Sequence, residues 1–375
     1  MSNQFKYVNG LNTIRFIAVI LVIIGHWGIY YERGTVQFDA IRVLIPWGKF
    51  GLAFFLVLSG FLISSVLFKA RRDMAEGDSK PGIIKNFLMR RALRLLPAYY
   101  FMIILLYLLG YAAVHEHPWY YLMHISNILI YRIQTNNPLI HLWSLSVQEQ
   151  FYLILPWFIL YVPEKALKYV IYGAIAIGLG TKYYTMFVLN KPFTFLFFHF
   201  LDCLGLGVLY AYYMYIGKKE KFESAIKFML PVLIYLGWQM AARFKGTVFG
   251  VIYERSMWSM MGLGIIIWTI NNKNQLLNKY FFENKVMNYF GKISYGIYLY
   301  HYPIGSYFDY YFDSYKASHH LPFILTNFIF IYVVKFCLVL LVASLSYNYL
   351  ETPIIELKKK FNYLKNKDGK KPVAS

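Results

Sequence analysis

Ten apolar runs follow one another along the chain, at 11–31, 48–68, 95–114, 145–162, 169–189, 196–216, 228–242, 257–270, 293–312 and 321–348. A helix rises about 1.5 Å per residue, so a hydrocarbon core about 30 Å thick takes roughly 20 residues to cross. Most of the runs reach that length; those at 228–242 and 257–270 fall short. The chain therefore reads as all-α, a polytopic bundle of about ten transmembrane helices. Composition points the same way, since 15% of residues are charged and 58% hydrophobic, whereas soluble domains carry roughly 25% charged residues. The first run is not a cleaved signal peptide: Ile29-Tyr30-Tyr31-Glu32 follows it, not a small-residue cleavage site.

Lysine and arginine set the orientation. With the N-terminus in the cytoplasm, 26 of the 38 basic residues fall in inner segments and nine in outer ones. Ten spans then place both termini in the cytoplasm. The net charge of +20 follows from this topology and from contact with anionic lipid heads. A nucleic-acid partner would need a soluble basic face, and the sequence offers none. The domain reading is one membrane domain over 1–351 and a basic cytoplasmic tail over 352–375, with Lys358-Lys359-Lys360 as a membrane-surface anchor. Lys69 to Lys85 reads as a cytoplasmic loop. His115 to Leu142 reads as an outer segment with a short interfacial helix and a turn at Thr135-Asn136-Asn137-Pro138. Cys203 and Cys337 lie within runs and read as core packing. No metal-ligand spacing, phosphate-cradling glycine loop or GxSxG elbow is present.

Four sets of polar residues sit in or beside the apolar runs. Arg15 and His26 are eleven residues apart, three turns plus about 20°, so they share a helix face about 16 Å apart along the axis. One reading is an arginine that snorkels and a histidine satisfied by a backbone carbonyl; the other is a functional pair, the default for ionisable groups inside a span. Arg91 and Arg94, three apart, share a face at the start of the third run. They read as a positive-inside cluster or as a phosphate clamp for a coenzyme with several phosphates. In His141-Leu142-Trp143-Ser144-Leu145-Ser146-Val147-Gln148-Glu149, Ser144 reads as a helix cap. Alternatively, Trp143, Ser144 and Glu149 form an acceptor-side wall, with Glu149 orienting a histidine or binding a sugar hydroxyl. Ser294, Tyr298 and His301 form one polar stripe, which either bonds neighbouring helices or serves the site. Lys182, His199, Asp202 and Lys335 are further intramembrane polar groups, His199 and Asp202 being spaced to pair. Ser59-Gly60 reads as a close helix contact.

Leu11-Asn12-Thr13-Ile14-Arg15-Phe16-Ile17-Ala18 followed by Gly25-His26 resembles the opening signature of acyltransferase family 3. The resemblance extends to Phe54 through Ile63, the Arg91–Arg94 pair before Pro97, Trp143-Ser144-Leu145, Ser294-Tyr295 through His301, and Glu351-Thr352-Pro353. The family comprises integral membrane O-acyltransferases, commonly acting on cell-surface glycans. The resemblance implies a multi-pass protein of the bacterial plasma membrane and a cytoplasmic acyl-CoA donor, most simply acetyl-CoA, with no metal. It implies a glycan acceptor at the outer face, His26 as an essential catalytic histidine with Arg15 as its partner, and Arg91 and Arg94 near the coenzyme. In the mechanism this suggests, His26 is the general base. Tyr298 or the Trp143–Ser144 region stabilises the oxyanion, with Glu149 and His301 completing the catalytic set. One position departs from the family pattern: Gln148 stands where a glutamate is usual, and Glu149 keeps the next acid, one 100° helical step away. A proton-coupled transporter or flippase of an envelope glycan or lipid is the rival reading. A silent partner in a glycan-export complex is a third.

Overall fold

The computed structural model describes residues 10–27, 47–74, 79–134, 139–191, 195–242, 247–272, 275–319, 322, 325 and 327–361. The described residues are helical throughout, connected by short turns. The helices are α1 (Gly10–Trp27), α2 (Trp47–Asp73), α3 (Lys80–Leu108), α4 (Ala112–Glu116), α5 (Pro118–Leu122), α6 (Ser126–Ile133) and α7 (Leu142–Tyr161). They continue with α8 (Glu164–Tyr183), α9 (Leu201–Tyr215), α10 (Lys219–Ala242), α11 (Val248–Asn271), α12 (Lys285–Ser318), α13 (Phe328–Leu345) and α14 (Thr352–Glu356). Most of the described residues of each apolar run lie on one of the longer helices. Among the described residues, five stretches rather than ten are long and apolar enough to cross a membrane by length and composition: Gly10–Trp27, Gly48–Asp73, Lys80–Leu108, Phe197–Tyr215 and Ile329–Lys360.

The helix ends depart from the sequence reading where charge and helix overlap. α2 runs on to Asp73 and α3 begins at Lys80, so the expected Lys69–Lys85 loop contracts to a few residues. The Ser79 side chain caps α3 by accepting from the Gly82 amide at 3.3 Å. Arg71 donates to the carbonyls of Ile159 and, at 2.8 Å, Val162, while Arg72 donates to Tyr215 at 2.7 Å. These two arginines thus satisfy the open C-terminal carbonyls of α7 and α9. The expected interfacial helix is instead three short helices docked into the bundle. Tyr99 and Tyr100 of α3 donate to the carbonyls of Tyr121 and Leu122 at 2.8 and 3.0 Å, and Ser126 bonds Ser146 at 2.9 Å. The turn expected at 135–138 lies outside the described residues.

The interior divides into two apolar clusters that share α1. One joins Leu11, Ile14 and Ala18 to α2, α7, α9 and α11; the other joins Phe16, Val19, Val22 and Ile23 to α3, α12 and α13. Small residues bring the backbones together. A Cβ on Gly60 would run into the Leu204 carbonyl, and one on Gly207 into the Val57 carbonyl, so the Ser59-Gly60 step is a close contact between α2 and α9. His199 and Asp202 do not pair. Asp202 accepts from Lys182 at 2.5 Å, and His199 meets the Thr185 hydroxyl at 2.9 Å. Lys335 pairs with Asp309 at 2.8 Å. Cys203 is buried, whereas Cys337 is exposed and not core. Residues 352–360 remain helical alongside α3, and Arg90 donates to the Phe361 carbonyl at 3.2 Å; the remainder of the expected tail lies outside the described residues.

Candidate functional site

Between the two clusters, α1, α7 and α12 bring polar residues together at two levels. At the end of α1, His26 meets the middle of α12. His26 Nδ1 lies 2.8 Å from His301 Nε2, and His301 Nδ1 lies 2.6 Å from the carbonyl of Tyr298. A carbonyl only accepts, so His301 Nδ1 carries the hydrogen, and in the neutral ring Nε2 is left as the acceptor. The hydrogen between the two rings therefore belongs to His26 Nδ1, which leaves His26 Nε2 with a free lone pair. That atom has no hydrogen-bond partner among the described residues and is not sealed from the surface. The rings are nearly parallel, 7° apart with centroids at 5.1 Å.

His141 completes this group. Its Nε2 lies 3.2 Å from the Leu299 carbonyl, and its ring stacks on Tyr302 at 5.1 Å and meets His301 at 5.0 Å. Tyr298 is fixed by the same segment: its hydroxyl donates to the His141 carbonyl at 2.9 Å and meets Ser144 Oγ at 2.6 Å. Ser144 is therefore no helix cap. His141 occupies the cap position without a side-chain bond, and the Ser144 hydroxyl turns across to α12. The Tyr298 hydroxyl is likewise engaged within the wall. The sequence reading assigned no role to His141, although it heads the same run as Trp143 and Ser144.

The second level holds the arginines. Arg91, Glu149, Arg15 and Arg94 all bear electrostatically on the buried hydroxyl of Tyr152, a residue that sequence reasoning did not single out. Glu149 acts on Arg91, and Glu351 on Arg94, so three guanidiniums face two carboxyl groups. Arg91 also lies over the rings of Phe87 and Tyr152, at 5.5 and 5.9 Å. Arg15 Nη1 donates to Asn12 Oδ1 at 3.2 Å, and Asn12 is tied to Asn288 of α12 at 2.5 Å. Tyr295 links the levels, donating to the Leu95 carbonyl beside Arg94 at 2.8 Å and standing one turn before Tyr298. Between Arg15 and His26 the levels are about 16 Å apart; between Ser144 and Tyr152, about 12 Å.

The structure also separates residues that are adjacent in sequence. Gln148 is buried and donates to Ser59 Oγ at 2.7 Å, whereas Glu149, one step on, faces the arginines and makes no hydrogen bond to a histidine. Trp143 joins neither level. It is 7% exposed and packed between Phe195 at 4.7 Å and Phe200 at 4.6 Å, so its ring presents no open face. No group of three or more His, Cys, Asp or Glu placed to hold a metal occurs among the described residues.

Apolar helices of spanning length around a polar interior define an integral membrane protein. The profile of acyltransferase family 3, described as an acyltransferase domain, matches residues 8–348, and the chain belongs to that family. A protein of Staphylococcus aureus (strain COL), provisionally named an O-acetyltransferase, is 27% identical over 93% of this chain and 58% of its own length. The O-acetyltransferase OatA of Staphylococcus aureus (strain NCTC 8325 / PS 47) is 26% identical over 97% of this chain and 60% of its own. The chain thus spans about six tenths of the length of these relatives. No solved structure matches it significantly.

Proposed function

We propose that this chain is a membrane O-acyltransferase of the bacterial plasma membrane. It moves an acyl group, acetyl in the first instance, from cytoplasmic acyl-CoA to a hydroxyl of a cell-surface or lipid-linked polysaccharide. Family membership and the names of the S. aureus relatives support the reaction class. The observation that carries the mechanism is the His26–His301–Tyr298 relay, which leaves a free lone pair on His26 Nε2 at the end of the relay; the unpartnered Nδ1 of His141 is buried. In this reading ten spans place both termini and the arginine level on the cytoplasmic side, and the histidine level toward the outer leaflet.

Arg15, Arg91 and Arg94 hold the coenzyme phosphates, since guanidinium binds phosphate oxygens bidentately. The excess of guanidinium over carboxyl groups around Tyr152 fits such a polyanion. Glu149 opposes Arg91 and limits repulsion among the cations; it does not orient a histidine. At the histidine level, the acceptor hydroxyl gives its proton to His26 Nε2 as its oxygen bonds to the thioester carbonyl carbon. Collapse of the adduct breaks the C–S bond, and the departing thiolate takes the proton from His26, leaving the ester and free thiol. His301 is a positioning residue that fixes the His26 tautomer, and Tyr298 and Ser144 hold the wall. Keeping the site within the bundle limits loss of the thioester to water.

His26→Ala tests this. Purified in nanodiscs with acetyl-CoA and a polysaccharide acceptor, it is expected to lose about 10²- to 10⁴-fold in transfer, with an unchanged melting temperature. Transfer at the wild-type rate would overturn the assignment.

A further inference from the structure

At the end of the bundle where α1 finishes, a second charged cluster has, among the described residues, one cation more than it has carboxylates. Asp202, at the start of α9, is fully buried. Its Oδ2 accepts from Lys182 of α8 at 2.5 Å and from the Ser256 hydroxyl of α11. Glu254, two residues nearer the start of α11 than Ser256, is paired with Lys49 at 2.7 Å. Arg255 lies between these two pairs and within electrostatic range of Asp202, but both nearby carboxylates already have a lysine. No described residue hydrogen-bonds the Arg255 guanidinium, and its nitrogens are not sealed from the surface. Arg255 stands on the second turn of α11.

The guanidinium makes a cation–π contact. Its central carbon lies 4.4 Å from the centre of the Phe200 ring, and the same ring packs against Trp143 at 4.6 Å. A contact to the ring leaves the N–H donors of the fork unused, and a guanidinium can pair them in two parallel bonds to a phosphate or carboxylate. Trp143 precedes Ser144, whose hydroxyl meets Tyr298 at the histidine level. A second connection runs through Lys49, since a Cβ on its neighbour Gly48 would lie 3.3 Å from the Cα of Gly25, next to His26.

We propose that Arg255 is an anion-binding subsite for the acceptor, so that the preferred acceptor is a glycan carrying phosphate or carboxylate groups. This rests on the acyltransferase reading and adds the substrate class to it. The shared chemistry is an oxyanion; an anionic lipid head is the other source, and the test separates them.

The full chain in phosphatidylcholine nanodiscs is titrated with hexagalacturonate, neutral maltohexaose and inorganic phosphate as competitor. Hexagalacturonate is expected to bind and maltohexaose to bind at least about tenfold more weakly, with phosphate competing. Arg255→Gln is expected to lose about tenfold or more for hexagalacturonate and nothing for maltohexaose, and Arg255→Lys to recover part of the loss. The titration contains no acetyl-CoA, so binding is read independently of transfer. Equal affinity in wild type and Arg255→Gln, or an equal loss for both glycans, would overturn the subsite. So would binding that appears only for phosphatidylglycerol added to the nanodiscs. Transfer by His26→Ala, in contrast, would overturn the catalytic reading and leave the subsite standing.

Discussion

A single hydrogen decides what His26 can do, and His301 decides where that hydrogen sits. With His301 Nδ1 committed to the Tyr298 carbonyl, His26 must present Nε2 as its basic atom; without His301, either nitrogen can carry the hydrogen. His301→Ala is therefore expected to lower kcat by about 10- to 100-fold, a fraction of the general-base contribution, with the KM for acetyl-CoA unchanged. His301→Gln, whose amide offers both an acceptor and a donor, is expected to recover part of kcat. Equal kcat in the Ala and Gln variants would show that the residue only fills space. Periodicity made the two ends of this relay legible: eleven residues put Arg15 and His26 on one face, and the spacing of Ser294, Tyr298 and His301 makes a stripe. Their meeting was not legible, because 275 residues separate His26 from His301 and no local rule reports that distance. Gln148 and Glu149 show the same limit. Which of two neighbours faces Ser59 and which faces Arg91 depends on how α7 is rotated against α2 and α3, and packing alone sets that.

At the scale of elements, the crossing of α2 and α9 is governed by Gly60 and Gly207, where any side chain meets a carbonyl of the opposing helix. Gly60→Ala is expected to destabilise the protein by about 1–3 kcal/mol through overpacking, seen as a lower melting temperature. Gly173, exposed on α8 with nothing within 4 Å of a new Cβ, is the contrasting case. Gly173→Ala is expected to gain about 0.5–1 kcal/mol from helix propensity. If the two substitutions shift melting alike, the α2–α9 contact does not hold the bundle together. The close contact was readable from Ser59-Gly60, but its partner was not. Helix existence was likewise readable from the apolar runs, whereas helix ends were not. Arg71 and Arg72 read as loop, yet they lie on α2, where they satisfy the carbonyls that end α7 and α9.

For the molecule as a whole, the decisive feature is that α1, α7 and α12 each contribute to both polar levels. The levels are about 12–16 Å apart, up to half of a hydrocarbon core about 30 Å thick. If both were reached from one face, a shallow site would suffice and no helix would need to carry polar residues over that length. The arginine level sits beside Lys358 and Arg90, the side proposed to face the cytoplasm. The histidine level sits at the far end of α1. Donor and acceptor are thus expected to be used from opposite faces. In sealed vesicles with the Lys358 end outward, acetyl-CoA supplied outside is expected to acetylate a polysaccharide trapped inside and to leave the same polysaccharide outside unmodified. Acetylation of the external acceptor alone would mean that the two levels open to one face, and the transmembrane account would give way to a one-sided enzyme with the same chemistry at His26.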